Sequence, residues 1–230
     1  MGSESFSRPS VSRLEVVLRF ADIRAGSDRD DEYLRSLSAR ERARSERFAR
    51  PDTRARYVRA HGMLREMLAR RLATPPDAIR FERAPWGRPE LAGEHLCRFS
   101  LSHCPDRALI AITDDVAVGV DVESHREMSE RLISRVLPEW CPAPNEYEEK
   151  QRLGLEMWTC TEAALKSCGR GISGLGLLEL LPHPDAHVYR FQFSGPEEAR
   201  GVVIGLAPDT SHVGALAVQG RDVPRYRFVY

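Results

Sequence analysis

The 230-residue sequence predicts an α+β fold in two halves, and three observations lead there. Strand-like segments come in groups separated by long helical stretches, without the strict alternation of a doubly wound sheet. The order is strand, helices, strands, and then helices and strands again, with the change near residue 117. The length suits one large domain or two small ones and is ample for a core. This divides the chain into a loose tail (1–10), an N-terminal half (11–117) and a C-terminal half (118–230). No sequence repeat links the halves, so a duplicated architecture is only one possibility.

The elements follow in order. "RLEVVLRF" (13–20) reads as a strand. From Arg29 to about Ala73 the pattern is helical, broken at Pro51, and "TPPD" stops it. Tyr57, Ala60, Met63, Leu64, Met67 and Leu68 recur at helical spacing and are expected in the core. Arg40, Arg44 and Arg47 share a helix face, followed by Arg56; such a run is either a solvated face or an anion site. Strands are expected at 78–84, 97–103, 107–113 and 116–123, the last two as a hairpin closed by "TDD". The chain is then polar and helical to about Lys150. Met128, Leu132, Ile133 and Val136 form a stripe expected in the core. "LEMWTCTEAALKSC" (155–168) is a helix ended by Gly169 and Gly171. Three strands are expected near 187–194, 200–206 and 211–219. The final "RDVPRYRFVY" has no assignment.

The 34 basic and 34 acidic residues cancel, so overall charge favours neither nucleic acid nor a membrane as partner. The longest early apolar run, "LEVVLRFA", is broken by Glu15 and Arg19 and fits neither a signal peptide nor a membrane span. Phe6 stands where a myristoylation signal requires Ser or Thr. Five cysteines without a C-x-x-C spacing point away from a disulfide framework or a structural zinc site, and toward a cytoplasmic protein.

"VGVDVES" (118–124) places two acids in a β-branched strand. Residues i and i+2 share a face, so Asp121 and Glu123 project together opposite Val118, Val120 and Val122. Adjacent carboxylates repel unless a cation lies between them, and oxygen ligands suit Mg²⁺. Taken alone, the pair is explained more simply by a solvated strand end. On the helix 155–168, Leu155, Trp158 and Leu165 fall within about 80° of one another. Glu162 lies about 40° from Trp158 on the same wheel, so it is expected to point inward and to need a partner. Lys166, at i+4, is either that partner or half of a surface pair.

"WGRPEL" presents Arg88 on a turn, and "FSLSHC" places Ser100, Ser102 and Cys104 on one strand face with His103 beside the reversal at Pro105. Arg88, Ser102 and His103 suit phosphate oxygens, or are a loop and a strand end. No G-x-S-x-G elbow supports a serine hydrolase.

In order and spacing, "WGRPEL", "FSLSHC", "VGVDVE" and "WTCTEAALKSCGRGI" resemble the Sfp-type 4′-phosphopantetheinyl transferases. "SARERARSERF" and "RARYVRAHGMLR" resemble that family's N-terminal half, so the resemblance covers roughly residues 38–175. It implies a pseudo-dimer of two α/β halves with coenzyme A in the cleft between them. It implies transfer of the phosphopantetheine arm to a serine of an apo acyl or peptidyl carrier protein, releasing 3′,5′-ADP. By motif match, Asp121, Glu123 and Glu162 would ligate Mg²⁺; the proton of the carrier serine is then expected to go to Glu162 or to a metal-bound water beside it. Lys166 would contact the diphosphate, Arg88, Ser102 and His103 the coenzyme A phosphates, and Arg44 and Arg56 the 3′-phosphate and adenosine end. A duplicated fold lets one chain supply the whole cleft, so a monomer is expected. Three positions depart from the pattern. Thr161 replaces the usual Lys before the helix Glu, Arg88 replaces a Lys, and Glu41 stands where some members are basic. A non-catalytic homologue that binds coenzyme A or a carrier is the main rival, and an unrelated Mg²⁺-dependent phosphohydrolase is a third reading.

Overall fold

The computed structural model describes residues 14–24, 26, 28–114, 116–141, 146–220 and 222–229. The tail assigned to 1–10 lies outside them. The chain opens with β1 (Glu15–Asp22), followed by α1 (Asp30–Ser36), α2 (Ala39–Ser45) and α3 (Pro51–Leu72). The region read as one helix before Pro51 is thus two short ones. Leu37 is extended, and Ser38 restarts the helix with a capping box: its hydroxyl accepts from the Glu41 N–H, and Glu41 accepts from the Ser38 N–H. Because α2 ends at Ser45, Arg47 falls beyond it and does not share a helix face with Arg40 and Arg44. Pro51 occupies the first turn of α3, where its missing N–H costs nothing.

Next come β2 (Phe81–Arg83) and β3 (Pro89–Leu91), a small separate hairpin. A single 3₁₀ turn at Pro76–Ala78 reduces the strand expected at 78–84 to three residues. Then follow β4 (Cys97–His103), β5 (Arg107–Asp114), β6 (Val118–Ser124), α4 (Glu130–Val136) and α5 (Tyr147–Ser167). The chain ends with β7 (Leu178–Pro182), β8 (Val188–Phe193), β9 (Ala199–Asp209), β10 (His212–Gln219) and β11 (Arg225–Phe228). Two of these were not expected. β7 follows a Gly-rich turn, and β11 occupies the unassigned C-terminal stretch, pairing parallel to β1.

The strands form two main sheets, ordered β11–β1–β5–β4 and β6–β10–β9–β8–β7. The expected hairpin of β5 and β6 does not form. Both edges of β5 are already taken, by β1 and by β4, so the chain crosses to the other sheet and β6 pairs with β10. Four layers result. Ala108, Ile110 and Ile112 of β5 face α3, joining Tyr57, Ala60, Met63, Leu64, Met67 and Leu68. Leu109 and Ala111 face the other way, onto Val118, Val120 and Val122 of β6 and Leu216 and Val218 of β10. Ala215 and Ala217 of β10 lie on the outer face of the second sheet, against Met157, Cys160, Ala163 and Ala164 of α5. Met128, Ile133 and Val136 are buried and Leu132 partly so, as the stripe predicts. Among the described residues, no helix is long and apolar enough to cross a membrane.

Candidate active site

The site depends on how close α5 comes to β6. Gly119 makes that approach possible. A Cβ there would lie 2.0 Å from the Ala163 carbonyl oxygen and 2.5 Å from the Ser167 nitrogen. The helix is stopped one residue later by a Schellman arrangement: Gly169 has φ +69°, its N–H donates to the Lys166 carbonyl, and the Arg170 N–H donates to the Leu165 carbonyl. That cap fixes the height of Lys166 along β6.

Over residues 154–167 every residue of α5 is buried except Trp158, Glu162 and Lys166. The spacing is i, i+4, i+8, one line along the helix. The predicted apolar stripe therefore needs correction. Met157, Cys160, Ala163 and Ala164 seat the helix on the sheet, and the line through Glu162 is its one partly open edge.

Asp121, 5% exposed, meets Lys166 at this edge. The ammonium donates to Asp121 Oδ1 at 2.6 Å and to Ser102 Oγ at 2.8 Å, and Ser102 donates to the same Oδ1 at 2.7 Å. Ser102 comes from the first sheet, Asp121 from the second and Lys166 from α5, so three elements converge. Two residues earlier, Ser100 Oγ accepts from the Val120 N–H and ties β4 to β6. Glu123 accepts from the Trp158 indole N–H at 3.1 Å and pairs with Arg126. Trp158 thus orients a predicted ligand, a role the sequence pattern assigned only to packing.

The oxygens of Asp121, Glu123 and Glu162 do not all lie within 4.8 Å of one another. The charges of Asp121 and Glu123 act on Glu162, and Asp121 and Glu123 themselves accept from local donors. Two features nonetheless fit an oxygen-ligated divalent ion. Asp121 Oδ2 is buried without a hydrogen-bond partner. Burial raises the Glu162 carboxyl above its ordinary pKa against the lowering effect of Lys166, and the charges of Asp121 and Glu123 raise it further. Asp121, Glu123 and Glu162 are the residues that could hold such an ion.

The predicted phosphate ligands divide. His103, at the exposed end of β4, has its pKa lowered by surrounding protein and then by Lys166, with Arg44 contributing. His61 on α3 stacks on Tyr57, and desolvation depresses it to about 4, with His103 and Arg44 adding to the drop. Arg44, His61, His103 and Lys166 therefore share one electrostatic environment. Arg44 also lies over the Tyr57 ring, 6.0 Å from its centre. Arg56 sits half-buried on α3; among the described residues no hydrogen bond or ion pair links it to the Lys166 cluster.

Arg88 is engaged elsewhere. It donates to the carbonyls of Ser167 and Val118 at 3.0 Å and of Phe99 at 3.4 Å, clamping β4, β6 and the end of α5 together. Glu41, the acid at a position expected to be basic, pairs at 2.6 Å with Arg65, a fully buried arginine, so its role is structural. Thr161 is buried at 4% exposure and brings no charge to the site.

A profile of the 4′-phosphopantetheinyl transferase superfamily matches residues 117–216, the span from β6 to β10. The 4′-phosphopantetheinyl transferase HetI of Nostoc sp. is 33% identical over 198 residues, covering 80% of this chain and 79% of that protein. The chain belongs to the 4′-phosphopantetheinyl transferase superfamily. A putative 4′-phosphopantetheinyl transferase of Synechocystis sp. is 30% identical over 70% of this chain and 67% of its own length. A 4′-phosphopantetheinyl transferase of Bacillus pumilus is 27% identical over 60% of each. Membership makes the chain a transferase, and the matched span contains all four of Asp121, Glu123, Glu162 and Lys166.

Proposed function

We propose that the protein transfers the 4′-phosphopantetheine arm of coenzyme A to a serine of an apo acyl or peptidyl carrier protein, in a Mg²⁺-dependent reaction. The observation that carries this reading is the convergence of Ser102, Asp121 and Lys166 beside Glu162 on the open edge of α5. Phosphoryl transfer requires positioning and neutralisation of charge more than covalent help from the protein, and carboxylates beside an ammonium provide both.

In this reading residues 118–230 supply Asp121, Glu123 and Glu162 as ligands of Mg²⁺. When bound, the ion offsets the negative charge of the diphosphate. Residues 11–117 supply the coenzyme A contacts: Ser102 and His103 toward the phosphates, Arg44 and Arg56 toward the 3′-phosphate and adenosine. Lys166 is shared between Asp121 and Ser102, so it faces the diphosphate from a fixed position. Glu162, on the open edge of α5 and within reach of the charges of Asp121 and Glu123, takes the proton of the carrier serine. The serine oxygen bonds to the phosphorus bearing the pantetheine arm, the bond from that phosphorus to the bridging oxygen breaks, and 3′,5′-ADP leaves with the electron pair. Both sides of the site come from one chain, so the proposed unit is a monomer.

The test is to incubate the protein with coenzyme A, Mg²⁺ and apo carrier proteins and to measure intact carrier mass. Gain of one phosphopantetheine on a serine, abolished by EDTA and by Glu162→Ala, is expected. Tight binding of coenzyme A or carrier with no mass gain would establish a non-catalytic binder instead. Consumption of coenzyme A without carrier modification would establish a hydrolase.

A further inference from the structure

A second cluster of chemically active side chains lies beyond the far end of β6 and takes no part in the proposed transfer. Cys104 and Asp106 flank Pro105 in the turn from β4 to β5, on the first sheet. His212 opens β10 on the second sheet, opposite Ser124. The candidate ligand atoms of Cys104, Asp106 and His212 all lie within 4.8 Å of one another. Asp106 Oδ1 is 3.1 Å from His212 Nε2 and 3.3 Å from Cys104 Sγ. Zinc–ligand bonds of about 2.0–2.3 Å at tetrahedral angles separate ligand atoms by about 3.3–3.7 Å, so two of these edges are already near their final length.

We propose that Cys104, Asp106 and His212 bind Zn²⁺, with water in the fourth position. Each ligand is prepared for that role. His212 is 3% exposed, and its Nδ1 lies 2.8 Å from Asp209 Oδ1, the carboxylate–histidine arrangement that fixes ring orientation and aims Nε2 at a metal. Ser124 Oγ supports Asp106 Oδ1 at 3.2 Å. Arg107 holds the opposite oxygen, Oδ2, at 3.6 Å and also pairs with Asp22 and Asp209, which leaves Oδ1 turned toward the cluster. Binding releases the Cys104 thiol proton to solvent. The resulting thiolate and the Asp106 carboxylate balance the two charges of the ion, and His212 ligates as the neutral ring. A sulfur, a nitrogen and an oxygen select zinc over magnesium, whose ligands are oxygen. The spacing Cys-x-Asp with a histidine more than a hundred residues on gives no zinc signature in sequence. Only the packing of the two sheets brings the three together, and an ion there would staple one sheet to the other.

The test uses the full chain, stripped of metal and titrated with Co²⁺ in excess Mg²⁺, so that the oxygen-only site is occupied. A thiolate-to-cobalt absorption band with tetrahedral d–d intensity, saturating at one ion per chain and displaced by Zn²⁺, is expected. Cys104→Ser and His212→Gln should weaken binding on the order of 100-fold or more, and Asp209→Asn on the order of 10-fold. Cys141→Ser and Cys168→Ser, at the two partly exposed thiols, should leave the band intact. Zn²⁺ should raise the melting temperature of the wild type but not of Cys104→Ser. Zinc-edge X-ray absorption on the wild type reads sulfur in the coordination shell without requiring any variant to fold. Absence of a sulfur–cobalt band in the wild type, or its persistence in Cys104→Ser, would overturn the site. These outcomes do not depend on transfer activity, so they stand apart from the fate of the proposed function.

Discussion

Gly119→Ala tests whether the contact of α5 with β6 builds the site. The added methyl would lie 2.0 Å from the Ala163 carbonyl oxygen, so the helix must retreat by roughly 1.4 Å to reach the 3.4 Å of ordinary contact. The clash is with backbone on both sides, so no side-chain rotation relieves it. Overpacking of this kind costs about 1–3 kcal/mol, which lowers the melting temperature of a chain this size by roughly 2–12 °C. The retreat carries Glu162 and Lys166 away from Asp121, and a displacement of about 1 Å at a reacting centre costs on the order of 100-fold in rate. Gly176→Ala is the control, since nothing lies within 4 Å of a Cβ there. Thermal melts and carrier mass gain should show both losses in Gly119→Ala and neither in the control. Unchanged stability and turnover in Gly119→Ala would refute the account of how the site is assembled.

Three further expectations concern the same region. Lys166→Met should abolish transfer and also destabilise by roughly 2–3 kcal/mol, because Asp121 keeps only the Ser102 hydrogen bond; the loss is below that of a fully buried pair since Lys166 is 29% exposed. Adding Asp121→Asn to it should regain more than half of that stability in denaturant melts and none of the activity. Burial raises the Glu162 pKa, so ionising it costs folding free energy as pH rises through its folded value; in metal-free buffer Glu162→Gln should melt higher than wild type at neutral pH, with the gap closing below the ordinary glutamate pKa of 4.5. Arg88→Ala should cost about 1–3 kcal/mol of stability by removing the side-chain donor of the Val118 and Phe99 carbonyls, while the Ser167 carbonyl keeps that of Gln219, and an effect confined to the KM for coenzyme A would instead make Arg88 a substrate ligand.

Local features were legible from sequence wherever one strand or one turn of helix sets them. β4 spans Cys97–His103 as read, Asp121 and Glu123 alternate with the buried valines, and Gly169 ends α5. Ser38-x-x-Glu41 was also a readable signal, though a run of arginines in the same stretch concealed the break between α1 and α2.

By itself, then, the sequence determined the α+β character, the four ordered motifs of the transferase family and the identity of the acids and the lysine, because periodicity and spacing are local properties of the chain. Tertiary structure alone decided the rest. It sent β6 to the second sheet, because β5 had no free edge to offer. It left the Trp158–Glu162–Lys166 line open, where a helical wheel placed Glu162 within an apolar stripe, because which side of a helix meets a sheet depends on the small residues across the contact. It committed Arg88 to three backbone carbonyls. It also brought Cys104 and Asp106 beside His212, residues that only the packing of one sheet on the other can make neighbours.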